Sequence, residues 1–146
     1  MLTVEPQVIE RYVQTGQVKL VFRAVLNFGE RSERTAEAAT SAGAQGQFWA
    51  MHAILFAEQP TVETTPVPAL VPLLRRYAAT LPSLDQDAFG RSMDERTTFA
   101  AIKAGDAEQR KRGITSQPTF EIGQQRLLGL QSFEVIGQAI EAAKKR

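Results

Sequence analysis

Residues 113–129, G-I-T-S-Q-P-T-F-E-I-G-Q-Q-R-L-L-G, constrain the fold of this chain more than any other stretch. Gly113 closes a helical pattern, a Thr/Ser/Gln loop follows, and Pro118 stands at the mouth of a Thr-Phe-Glu-Ile strand. Gly123 makes a turn, Arg126, Leu127 and Leu128 return, and Gly129 ends the hairpin. Ser132 is placed to cap a final amphipathic helix whose inward face is Phe133, Ile136, Ile140 and Ala143.

Upstream, Val4, Val8, Ile9, Tyr12 and Val13 fall at helical spacing, and Thr15-Gly16 ends that pattern. Pro6 fits only near the helix start, because proline lacks the amide a helix interior needs. Residues 18–26, V-K-L-V-F-R-A-V-L, are almost continuously apolar after Lys19, which predicts a strand buried on both faces. Residues 27–31 read as a loop, and Ser32 as the N-cap of a helix over 33–43. A second helix from 47 to about 59 carries Phe48, Trp49, Met51, Leu55 and Phe56 as a core stripe, and Pro60 stops it. Residues 61–68 read as a loop. Leu70, Leu73, Leu74, Tyr77 and Leu81 mark a further helix closed by Pro82. Asp85 caps a short helix through Phe89, and Asp94 opens a longer one that Gly113 terminates. Strands flanking a block of helices indicate an α/β domain with a helical insertion.

The 146 residues contain no cysteine, which excludes internal disulfides, cysteine nucleophiles and thiolate metal sites within them. That leaves the compartment open. Seventeen basic and sixteen acidic side chains give a net charge of +1, so neither nucleic acid nor an anionic membrane is an expected partner. The terminal K-K-R reads as cations at a helix C-terminus. No stretch approaches the ~18 consecutive apolar residues of a membrane span. The first residues, M-L-T-V-E-P-Q-V-I-E, lack the basic-then-apolar layout of a signal peptide. His52 is the only histidine, set in F-W-A-M-H-A-I-L-F, and reads as packing on a helix, so no metal cluster is expected. Glu37, Asp85, Asp87 and Asp94 are scattered, with no pair placed for acid–base work, and Asp94, Glu95 and Asp106 read as capping or solvated groups. Gly43, Gly46 and Gly123 form no phosphate-binding pattern, and no cofactor is expected.

Three blocks of the chain, in this order, resemble the DsbA family of disulfide oxidoreductases almost end to end. They are E-P-Q-V-I-E-R-Y-V-Q-T-G-Q-V-K-L-V-F-R, then A-E-A-A-T-S-A-G-A-Q-G-Q-F-W-A-M-H-A-I-L-F, then L-D-Q-D-A-F with the helix leading into G-I-T-S-Q-P-T-F. The resemblance implies a thioredoxin-like α/β fold, with residues 1–28 and 113–146 as the thioredoxin-like part and 29–112 as an inserted helical domain. It also implies a cis bond before Pro118, with Gln117 and Pro118 as substrate-binding residues for an extended peptide or protein thiol. An extracytoplasmic or periplasmic setting is implied by the family alone. In the family a β-strand and a Cys-x-x-Cys pair precede the helix that begins here near Leu2. The sheet is therefore expected to lack its central first strand, between residues 18–26 and 118–122.

Without a thiolate there is no attacking sulfur for thiol–disulfide exchange, so no catalytic residue is expected. The resulting expectation is a redox-inactive member of the family. The alternatives are a non-catalytic protein that binds a peptide or partner beside Pro118, and a relative of kappa-class glutathione transferases. Ser92 stands where many family members carry a cysteine and reads as a polar helix-end residue. An apolar strand at 18–26 without its neighbour predicts one of two repairs: direct antiparallel pairing with 118–122, or a symmetric homodimer. The dimer is the expectation, because closing the gap would displace helices that fit a wider sheet.

Overall fold

The computed structural model describes residues 3–145. Helix α1 (Glu5–Val8) carries Pro6 in its first turn, where the missing amide is not needed, and continues as a π-helical stretch over Ile9–Val13. Val8 and Tyr12 are its buried residues.

The strand expected over 18–26 does not form. Residues 18–27 carry no helix, turn or bridge. Among the described residues the sheet is a hairpin, β1 (Thr119–Ile122) antiparallel to β2 (Gln125–Leu128), with Thr119 opposite Leu128 and Ile122 opposite Gln125. A strand exists only through its ladder, and no backbone group of residues 19–25 bonds to another among the described residues. Direct pairing with 118–122 is absent as well. Nor is the segment buried on both faces: Val18, Leu20, Ala24 and Leu26 are half-buried, whereas Lys19, Val21 and Arg23 are exposed.

The remaining helices are α2 (Glu30–Gly43), α3 (Phe48–Ala57), α4 (Gln59–Thr64), α5 (Val67–Ala78), α6 (Gln86–Glu95), α7 (Phe99–Lys111) and α8 (Phe133–Lys144). Helix α2 starts earlier than Ser32 because Gly29 caps it with φ +57°, a conformation glycine adopts without steric cost. The Ser32 hydroxyl instead accepts from the Phe28 amide at 2.8 Å. Most of the expected 61–68 loop is helical: Pro60 and Pro68 lie in the first turns of α4 and α5, where proline is tolerated. Asp94 lies in the last turn of α6 rather than at the start of α7, and the chain breaks at Arg96 with φ +54°. The two other caps follow the sequence reading. Asp85 accepts from the Ala88 amide at 2.9 Å, and Ser132 from the Val135 amide at 3.3 Å.

Two hydrophobic clusters hold these elements. The larger, built from α2 to α6, includes Ala38, Ala42, Met51, Leu70, Leu74, Phe89 and Met93. The smaller joins Val8, Tyr12, Ile136 and Ile140, with Val18, Phe120, Ile122 and Phe133 packed against it. The stripe expected on α3 splits: Met51 is fully buried, while Trp49 is 41% exposed.

Candidate functional site

The loop before β1 is built from the end of α7. Gly113, with φ +74°, turns the chain out of the helix, and the Ile114 amide donates back to the Gln109 carbonyl at 2.9 Å. Ile114 is buried, so Thr115, Ser116 and Gln117 stand out from an anchored base. The Asn27 side-chain amide donates to the Thr115 carbonyl (3.0 Å), the Thr119 hydroxyl to the Ser116 carbonyl (2.7 Å), and the Gly129 amide to the Pro118 carbonyl (2.9 Å). The Gln117–Pro118 peptide bond is cis. The carbonyls of Thr115, Ser116 and Pro118 are thus held. Between them, the backbone groups of Gln117 make no bond among the described residues.

Three exposed apolar residues adjoin the groups that bond the loop's flanks. Phe28 (69% exposed) follows Asn27, Leu128 (62%) lies opposite Thr119, and Leu130 (75%) follows Gly129. Exposed large hydrophobics grouped around unpaired backbone mark a binding surface better than any of them singly. Gln117 and Pro118 were expected here. Phe28, Leu128 and Leu130 were missed, and the apolar Leu130 directly after a turn glycine is the signal that could have found the last of them.

His52 takes a different place. It is buried on α3, 4% exposed, with Nε2 3.1 Å from Glu5 Oε2. The rings of Phe22, Phe48, Trp49 and Phe56 surround it, with centroids 5.1, 6.0, 5.3 and 4.6 Å away. It therefore ties α1 to α3, the packing role its setting suggested. Ser92 sits in a hydroxyl chain, 2.8 Å from Ser41 and 2.6 Å from Thr97. The acids are structural. Glu37, fully buried, accepts from Arg96 at 2.8 Å and Arg34 at 3.3 Å. Among the described residues no group of three His, Asp or Glu side chains converges on a metal position.

Asp106 departs from the solvated role expected of it. It is buried on α7, accepting from the Leu26 amide (2.9 Å) and Arg110 Nε (2.9 Å). Burial alone would raise its carboxyl, but the Arg110 and Leu26 hydrogen bonds outweigh that and hold it below the usual range. A depressed carboxyl stabilises the fold above its unfolded pKa, and that contribution is lost as pH falls through the folded value. An Asp106→Asn variant should therefore be about 1.5–3 kcal/mol less stable at pH 7, since hydrogen bonds to charged groups are worth that much. The difference should shrink below pH 3, as urea midpoints at the two pH values would show.

A family model described as Thioredoxin matches residues 2–142. The chain is 30% identical over 141 residues to Na(+)/H(+) antiporter NhaA 3 of Salinispora tropica, and 29% identical to NhaA 1 of Salinispora arenicola. In each case the match takes in 95% of this chain and 20% of the relative, so the chain spans about one fifth of the length of the curated relatives it matches. No helix among the described residues is long and apolar enough to cross a membrane. Among solved structures, BdbD from Bacillus subtilis in its oxidised form superposes with a TM-score of 0.85 at 22% identity, covering 97% of this chain and 76% of that one. Alpha-DsbA1 of Wolbachia pipientis gives 0.76 at 21% identity, with the same coverages. The hairpin after the Gln117–Pro118 loop, the helices between residue 29 and that loop, and these superpositions together describe one fold, that of a thioredoxin-like domain with a helical insertion, and the chain belongs to the thioredoxin family.

Proposed function

We propose that these residues form a redox-inactive DsbA-type domain that binds an extended polypeptide at the Gln117–Pro118 loop. Its descent is from thiol–disulfide oxidoreductases, and its present chemistry is recognition. The reading is carried by one observation: the exposed Gln117 backbone is unpaired in a loop whose bonded flanks, at Asn27, Gly129 and Thr119, adjoin the exposed Phe28, Leu130 and Leu128, in a chain without cysteine. Unpaired main chain offers affinity to an extended peptide, and neighbouring apolar residues offer it side-chain pockets. With no sulfur nucleophile, bound substrate has nothing to exchange with.

Two measurements test this. The pure protein should reduce insulin no faster than dithiothreitol does alone, and thiol-dependent turnover above that rate would overturn the redox-inactive reading. It should also bind carboxymethylated insulin B chain, slowing hydrogen exchange at the Gln117 amide. Leu130→Glu and Phe28→Glu should each weaken that binding roughly tenfold or more, the scale of removing one apolar contact. Circular dichroism should be unchanged, because both side chains are exposed. Binding that ignores both substitutions would refute the proposed surface.

A further inference from the structure

We propose that Asp106, Arg110 and Asn27 form one relay that positions the Gln117–Pro118 loop, an inference that rests on reading this loop as the peptide site. The buried Asp106 carboxylate grips two groups at once. Its Oδ1 accepts from the Leu26 amide and its Oδ2 from Arg110 Nε, each at 2.9 Å. Arg110 Nη2 in turn donates to the Leu26 carbonyl and to Asn27 Oδ1, each at 3.1 Å. With its oxygen so engaged, the Asn27 side chain presents its nitrogen to the Thr115 carbonyl, 3.0 Å away.

These links close a ring. Helix α7 carries Asp106 and Arg110 and ends at Lys111, and Gly113 sends the chain into the loop. Two residues later Thr115 is bonded to Asn27, which leads back through Arg110 to the same helix. The loop is therefore fixed twice before it reaches Gln117. Ile114 holds it through its amide to Gln109, and Thr115 holds it to a residue 88 positions away. The direction in which Thr115 is held sets where the unpaired Gln117 backbone points. Phe28 shares the arrangement, since it follows Asn27 and its own amide donates to the Ser32 hydroxyl at 2.8 Å.

The chemistry of the three groups leaves one arrangement. A carboxylate only accepts and a guanidinium only donates, so the Asn27 oxygen must face Arg110 and its nitrogen is left for Thr115. An exposed amide–carbonyl bond by itself adds little, because water competes for both groups. Asn27 is exposed, but it is oriented by Arg110, and Arg110 by a carboxylate that is buried. Hydrogen bonds to ionised groups are the stronger ones, and successive bonds in a chain polarise one another. A loop ordered in advance loses less entropy when it takes a ligand. Asn27 is thus a positioning residue for the Gln117 site, acting through the Thr115 carbonyl.

Asn27→Asp in the full chain tests the donor alone. The carboxylate is close to the amide in size, keeps the bond from Arg110 and cannot donate to Thr115. Backbone amide order parameters at Thr115, Ser116 and Gln117 should fall from about 0.85, the rigid range, to below about 0.6. Affinity for carboxymethylated insulin B chain should weaken roughly tenfold, the scale of ordering one backbone residue. The thermal midpoint should stay close to the parent's, because Asn27 is exposed. Arg110→Met should loosen the same three amides, and the double variant should be no looser than the worse single one, since members of one network do not add. Order parameters unchanged by Asn27→Asp, effects that add, or a parent loop already mobile would overturn the relay. So would a loosened loop that binds the B chain as tightly as the parent. A parent that binds no B chain would instead overturn the peptide reading, and the order parameters would still decide the relay.

Discussion

An Arg96→Ala variant is expected to lose about 3–5 kcal/mol of stability, the loss seen when one partner of a buried pair is removed. The cause is Glu37, which is fully buried and takes its shortest bond from Arg96 Nε at 2.8 Å. Arg96 also bonds Glu33 at 3.0 Å and lies over the Phe99 ring, 3.8 Å from its centroid. Without it, Glu37 keeps only Arg34 at 3.3 Å. For a chain of this size the thermal midpoint should fall by roughly 10 °C or more. Replacing both groups, Glu37→Met with Arg96→Met, should recover most of the loss, since an apolar pair of similar volume often equals a buried ion pair. Urea and thermal unfolding of the three proteins would decide it. An Arg96→Ala protein as stable as the parent would mean that Glu37 does not depend on this contact.

Phe89→Ala should be comparably severe, costing about 3–5 kcal/mol, because a buried aromatic leaves a cavity its neighbours only partly fill. Phe89 is 1% exposed in the cluster that also holds Met51, Leu70, Leu74 and Met93. Leu130→Ala, at a residue 75% exposed, should stay within about 0.5 kcal/mol. The contrast separates a packing residue from a surface one by the same measurement. A small effect at Phe89 would contradict the close packing of α6 against α2 and α5.

What was legible in the sequence was local. The hairpin at 119–128 and the caps at Asp85 and Ser132 follow from chemistry contained within a few residues, and all three formed. The prolines were harder, because a proline that stops one helix also suits the first turn of the next, as Pro60 does. Residues 18–26 carry strand-like composition, but a strand is a relation between backbones and no composition supplies the partner. The site divides the same way. The proposal's Gln117 and Pro118 lie within one short segment of the sequence. Phe28, more than eighty residues away, reached the loop only through the Asn27–Thr115 bond. Separation in sequence likewise hid the pairing of Glu37 with Arg96 and of Asp106 with Leu26.

The unequal size of the two hydrophobic clusters has a consequence for cooperativity. Among the described residues thirteen buried side chains form the helical cluster and four form the one beneath β1 and α8. Regions with fewer buried contacts open at lower free energy than the rest of a molecule, so the hairpin side is the less protected foldon. The Gln117–Pro118 loop leads directly into it, through Phe120 and Ile122. A ligand that engages only the closed form draws the equilibrium toward that form by mass action. Occupancy of the loop would therefore register as slower opening of α8, on the far side of the small cluster from the bound chain.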